Sequence, residues 1–440
     1  MSSSRRLFIR NSAALTAGFG ILTGLPEDSF AHIRKRLSPN DKIGIGAIGI
    51  NGMGWSDLSA MLKANPDTEC TAICDVDANV LAKRAGELEK DFKMKPVQYG
   101  DYKKLLSDKN VDVVIIGTPD HWHCLIMAEA CAMGKDVYVE KPIGNSIAEC
   151  RVMVTAQEKY KRVVQVGQWQ RSNAHFQSAM EVIKSGKLGN IRMVKTWAYQ
   201  GWMQNVPVKP DEPTPPGVNY NMWLGPAELR PFNPNRFHFN FRWYWDYAGG
   251  LMTDWGVHLI DYGLLGMNAK DPLTVMASGG KMAYPQDAGD TPDTLATVYD
   301  FGNFILLWEH AQAIDNGNYS RNHGIAYIGN NGTLVLDRAG WEVIPEKNRM
   351  EAIAAEKKSD DGLANNTKNF IEVVKSREFS KLNAPIQAGA TVATVCQMGN
   401  IAYRTGKKLN WDKDKGMFTD AEANKLITPV YHNNLILPKF

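Results

Sequence analysis

The segment Lys42-Ile43-Gly44-Ile45-Gly46-Ala47-Ile48-Gly49 constrains this chain more than any other. It is a short apolar run that reads as a buried strand and enters a glycine-rich turn, Gly49-Ile50-Asn51-Gly52-Met53-Gly54. A helix is expected at residues 55–64 and a second strand at 69–75. A strand that turns directly into a helix collects free backbone amides and the positive end of the helix dipole at one point, which suits a diphosphate. The turn departs from G-x-G-x-x-G because Asn51 holds the second glycine position, and Gly52 beside it offers the close approach instead. Asp75 ends the second strand, 26 residues after Gly49. There a carboxylate accepts hydrogen bonds from the adenosine ribose, and its charge repels a 2′-phosphate, which favours NAD over NADP. Helix capping is the plainer role for Asp75 or Asp77.

Further apolar strands are expected at 111–117, 136–140 and 163–167, with helices near 78–91 and 124–133. This alternation implies right-handed βαβ units and a parallel sheet. Beyond about residue 175 the pattern changes. A strand at 191–199 precedes a proline-rich loop at 206–217, and closely spaced strands follow at 273–279, 294–301, 304–310, 326–328, 333–337 and 341–344. Such spacing suggests a largely antiparallel sheet. Helices at 366–376 and 388–405 close the pattern. The expected fold is α/β in two parts: a dinucleotide-binding domain at 42–170, then a substrate and oligomerisation domain at 171–440, whose last helices are placed to pack back on the first.

The first residues read as an export signal. Ser4-Arg5-Arg6-Leu7-Phe8-Ile9-Arg10 precedes an apolar run to Leu25 and a small-residue site, Ser29-Phe30-Ala31. The paired arginines resemble a twin-arginine (Tat) signal over residues 1–31, which implies export to the periplasm in the folded state, with no membrane anchor. A net charge of +3, with both signs spread along 440 residues, gives no support to a nucleic-acid groove. None of the six cysteines forms C-x-x-C or a Cys/His cluster of zinc spacing, so no metal is expected.

Three more segments carry chemistry. Thr118-Pro119-Asp120-His121-Trp122-His123 follows the third strand, Glu140-Lys141-Pro142 ends the fourth, and Gly249-Gly250-Leu251-Met252-Thr253-Asp254-Trp255-Gly256-Val257-His258-Leu259-Ile260-Asp261 lies beyond. Taken in order with the glycine-rich turn, they resemble the Gfo/Idh/MocA oxidoreductases, named for glucose–fructose oxidoreductase and inositol dehydrogenase. The resemblance spans most of residues 42–261. It implies an N-terminal Rossmann domain and a C-terminal α/β domain with an open, mostly antiparallel sheet, whose free face often makes dimers or tetramers. It assigns Lys141, Asp254 and His258 to catalysis. It places Thr118, Pro119 and His123 beside the cofactor, with Glu140.

The residues agree with that assignment. Asp254, His258 and Asp261 are spaced i, i+4 and i+7 and would share one helix face. An imidazole beside a carboxylate suits proton removal from an alcohol, with His258 as base and Asp254 orienting it or binding the substrate. Lys141 ends a parallel strand, at the edge where α/β ligands bind, and its ammonium suits a developing oxyanion. Singly, these residues have plainer roles: a surface ion pair, a helix cap and a core histidine. The spacing D-x-x-x-H also fits a metal, but no third ligand is evident. Gln168, Trp169, Gln170 and Arg171 follow the fifth strand and are expected on the nicotinamide side, with Trp169 and Arg171 as substrate contacts. Trp243, Tyr244, Asp246 and Asp261 complete the candidate sugar-binding set, since aromatic rings stack on sugars and carboxylates bind hydroxyls.

Three functions fit. The first is NAD-dependent oxidation of a secondary hydroxyl of a sugar, glycoside or polyol. An exported enzyme has no cytosolic NAD pool, so the cofactor would travel tightly bound. The second is redox-neutral glycoside cleavage or epimerisation through a transient keto sugar. The third is non-catalytic binding of a sugar or dinucleotide.

Overall fold

A computed structural model describes residues 42–440, and the export-signal reading lies outside them. The first domain alternates strands and helices: β1 (Ile43–Ile48), α1 (Met53–Ala64), β2 (Thr68–Cys74), α2 (Ala78–Glu87), β3 (Val97–Tyr99), α3 (Tyr102–Leu106), β4 (Val113–Ile116), α4 (Asp120–Ala132), β5 (Asp136–Val139), α5 (Ile147–Tyr160) and β6 (Val164–Val166). All strand pairs are parallel, in the order β3-β2-β1-β4-β5-β6. Every residue of β1, β4, β5 and β6 is buried, because helices cover both faces of a parallel sheet. The strand order reverses between β1 and β4, so the connections after these two strands leave toward opposite sides of the sheet and open a ligand crevice.

Local chemistry sets the helix starts. Asp77 caps α2 by accepting from the Asn79 amide at 2.9 Å, so capping falls to Asp77 and not to Asp75. Ser146 and Glu149 form a capping box at the start of α5. The helix expected to run to residue 91 ends at Glu87 and continues as a π-turn over Leu88–Phe92.

The second domain comprises α6 (Ala174–Lys184), β7 (Ile191–Gln200), α7 (Tyr220–Leu224), α8 (Gly250–Asp254), α9 (Gly256–Met267), β8 (Thr274–Gly280), β9 (Thr294–Asp300), β10 (Ile305–Gln312), β11 (His323–Gly329), β12 (Gly332–Leu336), β13 (Gly340–Pro345), β14 (Glu356–Lys357), α10 (Gly362–Ser376), α11 (Ile386–Thr405), β15 (Leu409–Asp412) and β16 (Met417–Phe418). Its sheet runs β14-β13-β12-β11-β7-β10-β9-β8-β15-β16, antiparallel except for the β7–β10 pair. One sheet face packs on α9 and α11 through Val194, Tyr299 and Leu306.

Two helices return to the first domain. Phe370 of α10 meets Tyr138 of β5 with ring centres 5.8 Å apart, and Arg377 donates two 2.8 Å hydrogen bonds to Asp136. α11 packs along α5. All six cysteines are buried free thiols.

Between β7 and α8 the chain leaves the sheet and caps the crevice. Its proline-rich stretch, 206–217, has no regular structure, as expected. A separate aromatic core holds the cap together, with Tyr220, Trp223, Phe232, Phe237 and Tyr247 packed ring to ring. The Asn219 amide donates to the Val76 carbonyl, and Trp122 Nε1 donates to the Trp223 carbonyl at 3.0 Å. These bonds fasten the cap to the carboxyl edge of the first sheet.

Candidate active site

A cavity of about 760 Å³ runs from the glycine-rich turn to the junction of the two domains. At its first end, Gly49 has a φ of +76°, and a Cβ there would stand 2.7 Å from the Thr118 amide nitrogen. Gly52 is different: a Cβ would meet no protein atom, so the space above it is open. Gly52 begins α1 with no side-chain cap and no acidic residue in the first turn. The first amides of a helix have no intrahelical acceptor, so they are free for an anion. Asp75 accepts from the Ile50 amide at 3.0 Å and the Asp77 amide at 3.1 Å. Burial raises its pKa, opposed by those two bonds. The open bed, the uncapped helix and this carboxylate fit a dinucleotide.

Lys141 follows β5, and Asp254 ends α8. Lys141 Nζ donates to Asp254 Oδ1 at 2.8 Å and to its carbonyl at 2.9 Å. Arg242 Nε lies 3.3 Å from the same carboxylate oxygen. Burial alone would raise the Asp254 pKa, but the charges of Lys141 and Arg242 hold it well below the usual carboxylate range. Trp255 interrupts the expected single helix, so Asp254 ends α8 while His258 and Asp261 belong to α9. No hydrogen bond joins Asp254 to His258. The His258 Nδ1 is sealed in protein without a partner, which leaves Nε2 as the nitrogen open to the cavity. Burial, then the charges of Lys141 and Arg338, pull the His258 pKa well below its ordinary value, so the ring is neutral.

Two carboxyl groups beneath the site behave differently. Burial pushes Glu140 up to about 7 and Asp120 up to about 8, in each case against the pull of nearby cations. The ring nitrogens of His123 lie 2.7 Å from the Pro142 carbonyl and 2.8 Å from the Thr118 carbonyl. The neutral ring has one N–H, so it donates to one of these carbonyls and contacts the other, wedged between the two loops that floor the cavity.

Of the expected site residues, the cavity is lined by Gly49, Asn51, Gly52, Met53, Asp75, Thr118, Pro119, His123, Glu140, Lys141, Trp169, Asp254 and His258. Ile50 contributes its amide to Asp75, and Gly54 packs against the Gly49 carbonyl. Gln168 stands behind the site and donates to the Val257 carbonyl at 3.2 Å. The remaining sugar-binding candidates sit off the cavity. Arg171 and Asp261 pair with each other through bonds of 2.6 and 2.7 Å. Asp246 pairs with Arg230 at 2.9 Å, and Trp243 and Tyr244 are buried in the cap.

Sequence reasoning missed His238, Phe239, Arg338 and Lys358, all of which line the cavity. Asn51 Nδ2 lies 3.1 Å from His238 Nδ1, and His238 Nε2 lies 3.3 Å from Asp77 Oδ2. The residue that breaks the glycine pattern therefore bonds to the cap. That departure was the available signal, although its partner, 187 positions away, was not readable.

The fold and this cavity define a two-domain α/β protein built around a dinucleotide cleft. Residues 43–168 match the model of the oxidoreductase family's NAD-binding Rossmann fold, and residues 172–436 match that of its C-terminal alpha/beta domain. The chain belongs to the Gfo/Idh/MocA oxidoreductase family. It is 29% identical over 174 residues to inositol 2-dehydrogenase of Salmonella typhimurium, covering 39% of this chain and 49% of that one. It is 31% identical over 173 residues to a glycosyl hydrolase family 109 protein of Saccharopolyspora erythraea, covering 36% and 38%. The chain thus spans about half the length, or less, of these curated relatives. Among solved structures, the WlbA dehydrogenase of Bordetella pertussis in complex with NADH and UDP-GlcNAcA shares the fold, with a TM-score of 0.61 at 18% identity over 84% of this chain and 99% of that one. Aldose-aldose oxidoreductase of Caulobacter crescentus, complexed with glycerol, does so with 0.62 at 17% over 84% and 99%.

Proposed function

We propose that this protein oxidises a secondary hydroxyl of a sugar, glycoside or related polyol, with NAD as its cofactor. The observation that carries the reading is the meeting of Lys141, Asp254 and His258 in the same cavity as the glycine-rich turn. NAD, when bound, supplies the hydride acceptor. The amides at the start of α1 hold the diphosphate, and Asp75 binds the adenosine ribose and disfavours a 2′-phosphate. Lys141 Nζ holds the substrate hydroxyl oxygen and stabilises negative charge as it develops. Asp254 fixes the ammonium in place. The neutral His258 takes the hydroxyl proton at Nε2.

A second reading, redox-neutral cleavage or epimerisation of a glycoside, draws support from the family 109 glycosyl hydrolase relatives. Transient oxidation acidifies the neighbouring C–H, and reversal restores the cofactor without any outside pool. Both readings suit an exported enzyme that carries its NAD with it. A second copy of the chain is the natural cover for the outer face of the ten-stranded sheet, where Met276 and Ile344 are 47% and 44% exposed. Cell fractionation tests export, and light scattering tests the dimer or tetramer.

The chemistry is tested on purified protein. Bound nucleotide is released and identified, and the protein is then mixed with a panel of glycosides while reduced nicotinamide is followed by absorbance. Accumulating reduced cofactor with a keto sugar supports net oxidation. Cleaved or epimerised sugar without net reduction supports the redox-neutral reading. Nucleotide binding without any turnover contradicts both.

A further inference from the structure

Arg338 stands at the tip of the β12–β13 hairpin and lines the cavity. The hairpin is pinned beneath it: Asp337 Oδ1 accepts from the Ala339 and Gly340 amides at 2.7 and 3.1 Å, while Oδ2 pairs with Arg321 at 3.1 Å. The Arg338 guanidinium carbon lies 4.8 Å from the Trp169 ring centre and 4.5 Å from that of Trp255. Indole faces attract a cation but give its N–H groups no acceptor. No carboxylate lies within ion-pair distance of Arg338 among the described residues, and its buried Nε has no hydrogen-bond partner. Burial pulls its pKa down to about 10.

Asp254 offsets its charge in part through space, but no hydrogen bond joins the two. Asp254 is taken by Lys141 and Arg242. Asp361 caps α10 through the Leu363 and Ala364 amides. Burial favours the protonated forms of Asp120 and Glu140. Lys358 adds a further cation to the cavity lining, and its amide donates to the Ala339 carbonyl at 2.8 Å beside Arg338. A buried guanidinium without a directly bonded anion is costly, and the cost is relieved when a ligand supplies one. Its planar fork matches the paired oxygens of a carboxylate or phosphate.

We propose that Arg338 is a specificity-determining residue that receives an anionic group of the substrate, so the sugar carries a carboxylate or a phosphate. Trp169 sets the distance scale. Its ring centre lies 6.1 Å from that of His258 and 4.8 Å from the Arg338 guanidinium, a span that one sugar unit carrying the anion can bridge. This inference rests on the proposed oxidation of a sugar hydroxyl and narrows its substrate class.

The test uses the nucleotide-loaded protein with three probes: methyl glucuronide, glucose 6-phosphate and the neutral methyl glucoside. The wild type is expected to prefer an anionic probe over the neutral one by about thirtyfold in kcat/KM, the scale of one charge-assisted hydrogen-bonded pair. In Arg338→Gln the preference collapses towards unity, and Arg338→Lys restores part of it. Retained nucleotide in both variants shows that they fold. Preference for the glucuronide alone assigns a carboxylate, and preference for the phosphate alone assigns a phosphate. Equal use of all three probes by the wild type, or a preference that survives in Arg338→Gln, overturns the proposal. Calorimetric titration of the same probes separates it from the reading beneath it. Arg338-dependent anion binding without oxidation upholds the anion site and sinks the redox reading. Oxidation of neutral sugar with no anionic preference in binding or turnover sinks the anion site alone.

Discussion

Lys141 and Asp254 come from different domains, and their charged atoms meet at 2.8 Å. Both side chains are largely buried, with exposures of 13% and 17%. A pair so placed serves packing and chemistry together: it joins the domains and aims an ammonium at the cavity in one orientation.

That relationship gives the first prediction. Lys141→Ala removes the group proposed to hold the hydroxyl oxygen but leaves the glycine-rich bed intact. Turnover is expected to fall by about 10²–10⁴-fold while bound nucleotide is retained. Asp254→Asn is expected to act in the same direction, since the ammonium loses its fixed partner. Steady-state rates and nucleotide content, measured on the same preparations, check both.

A second prediction concerns pH. As the proposed base, His258 must be neutral to accept a proton. Burial, Lys141 and Arg338 all depress its pKa, so the acidic limb of kcat/KM lies well below pH 6.5, the ordinary histidine value. Arg338→Gln removes one of the positive charges that oppose the imidazolium. The His258 pKa therefore rises, and the acidic limb moves to higher pH. A pH–rate profile of the variant with a neutral sugar reads this directly, and a limb that stays in place or moves lower contradicts it.

The third prediction is about cofactor retention. The Asn51–His238–Asp77 chain ties the cap to the glycine-rich turn and to the start of α2. Asn51 Nδ2 donates to His238 Nδ1, and His238 Nε2 faces the Asp77 carboxylate at 3.3 Å. His238→Ala breaks both links. Nucleotide release, followed by chase with unlabelled NAD, is expected to accelerate about tenfold, the scale of one or two such bonds.

Asp261 and Arg171 supply a contrast. They pair inside the second domain and away from the cavity, with exposures of 4% and 14%. Breaking a buried pair by removing one partner costs about 3–5 kcal/mol, because the other charge is left unpaired. Arg171→Met is therefore expected to lower the thermal midpoint far more than it moves KM. A large rise in KM at unchanged stability would return Arg171 to the substrate site.

The first domain was largely legible because its information is local. β1, β2, β4, β5 and β6 are short apolar runs closed by turns, as strands buried on both faces must be. β3 escaped because it has three residues, none of them buried. α5 was missed although its capping box, Ser146 to Glu149, stands in the sequence. The motif residues Lys141, Asp254 and His258 were found through their order along the chain. Their mutual geometry was not, because Lys141 and Asp254 are 113 positions apart. Arg338 gave no signal for the same reason. An arginine in a hairpin is ordinary until two tryptophans from other segments close around it.

One transfer, from a sugar carbon to the nicotinamide ring, is the step on which the proposed function turns. Wild-type protein loaded with NAD is mixed with a sugar deuterated at its secondary carbinol positions, quenched after one turnover, and the nucleotide is analysed by mass spectrometry. Deuterium is expected in the nicotinamide of the wild type, under net oxidation or redox-neutral turnover alike, and far less of it in Lys141→Ala or His258→Ala. Product formed while the nucleotide stays free of deuterium would contradict the proposed function.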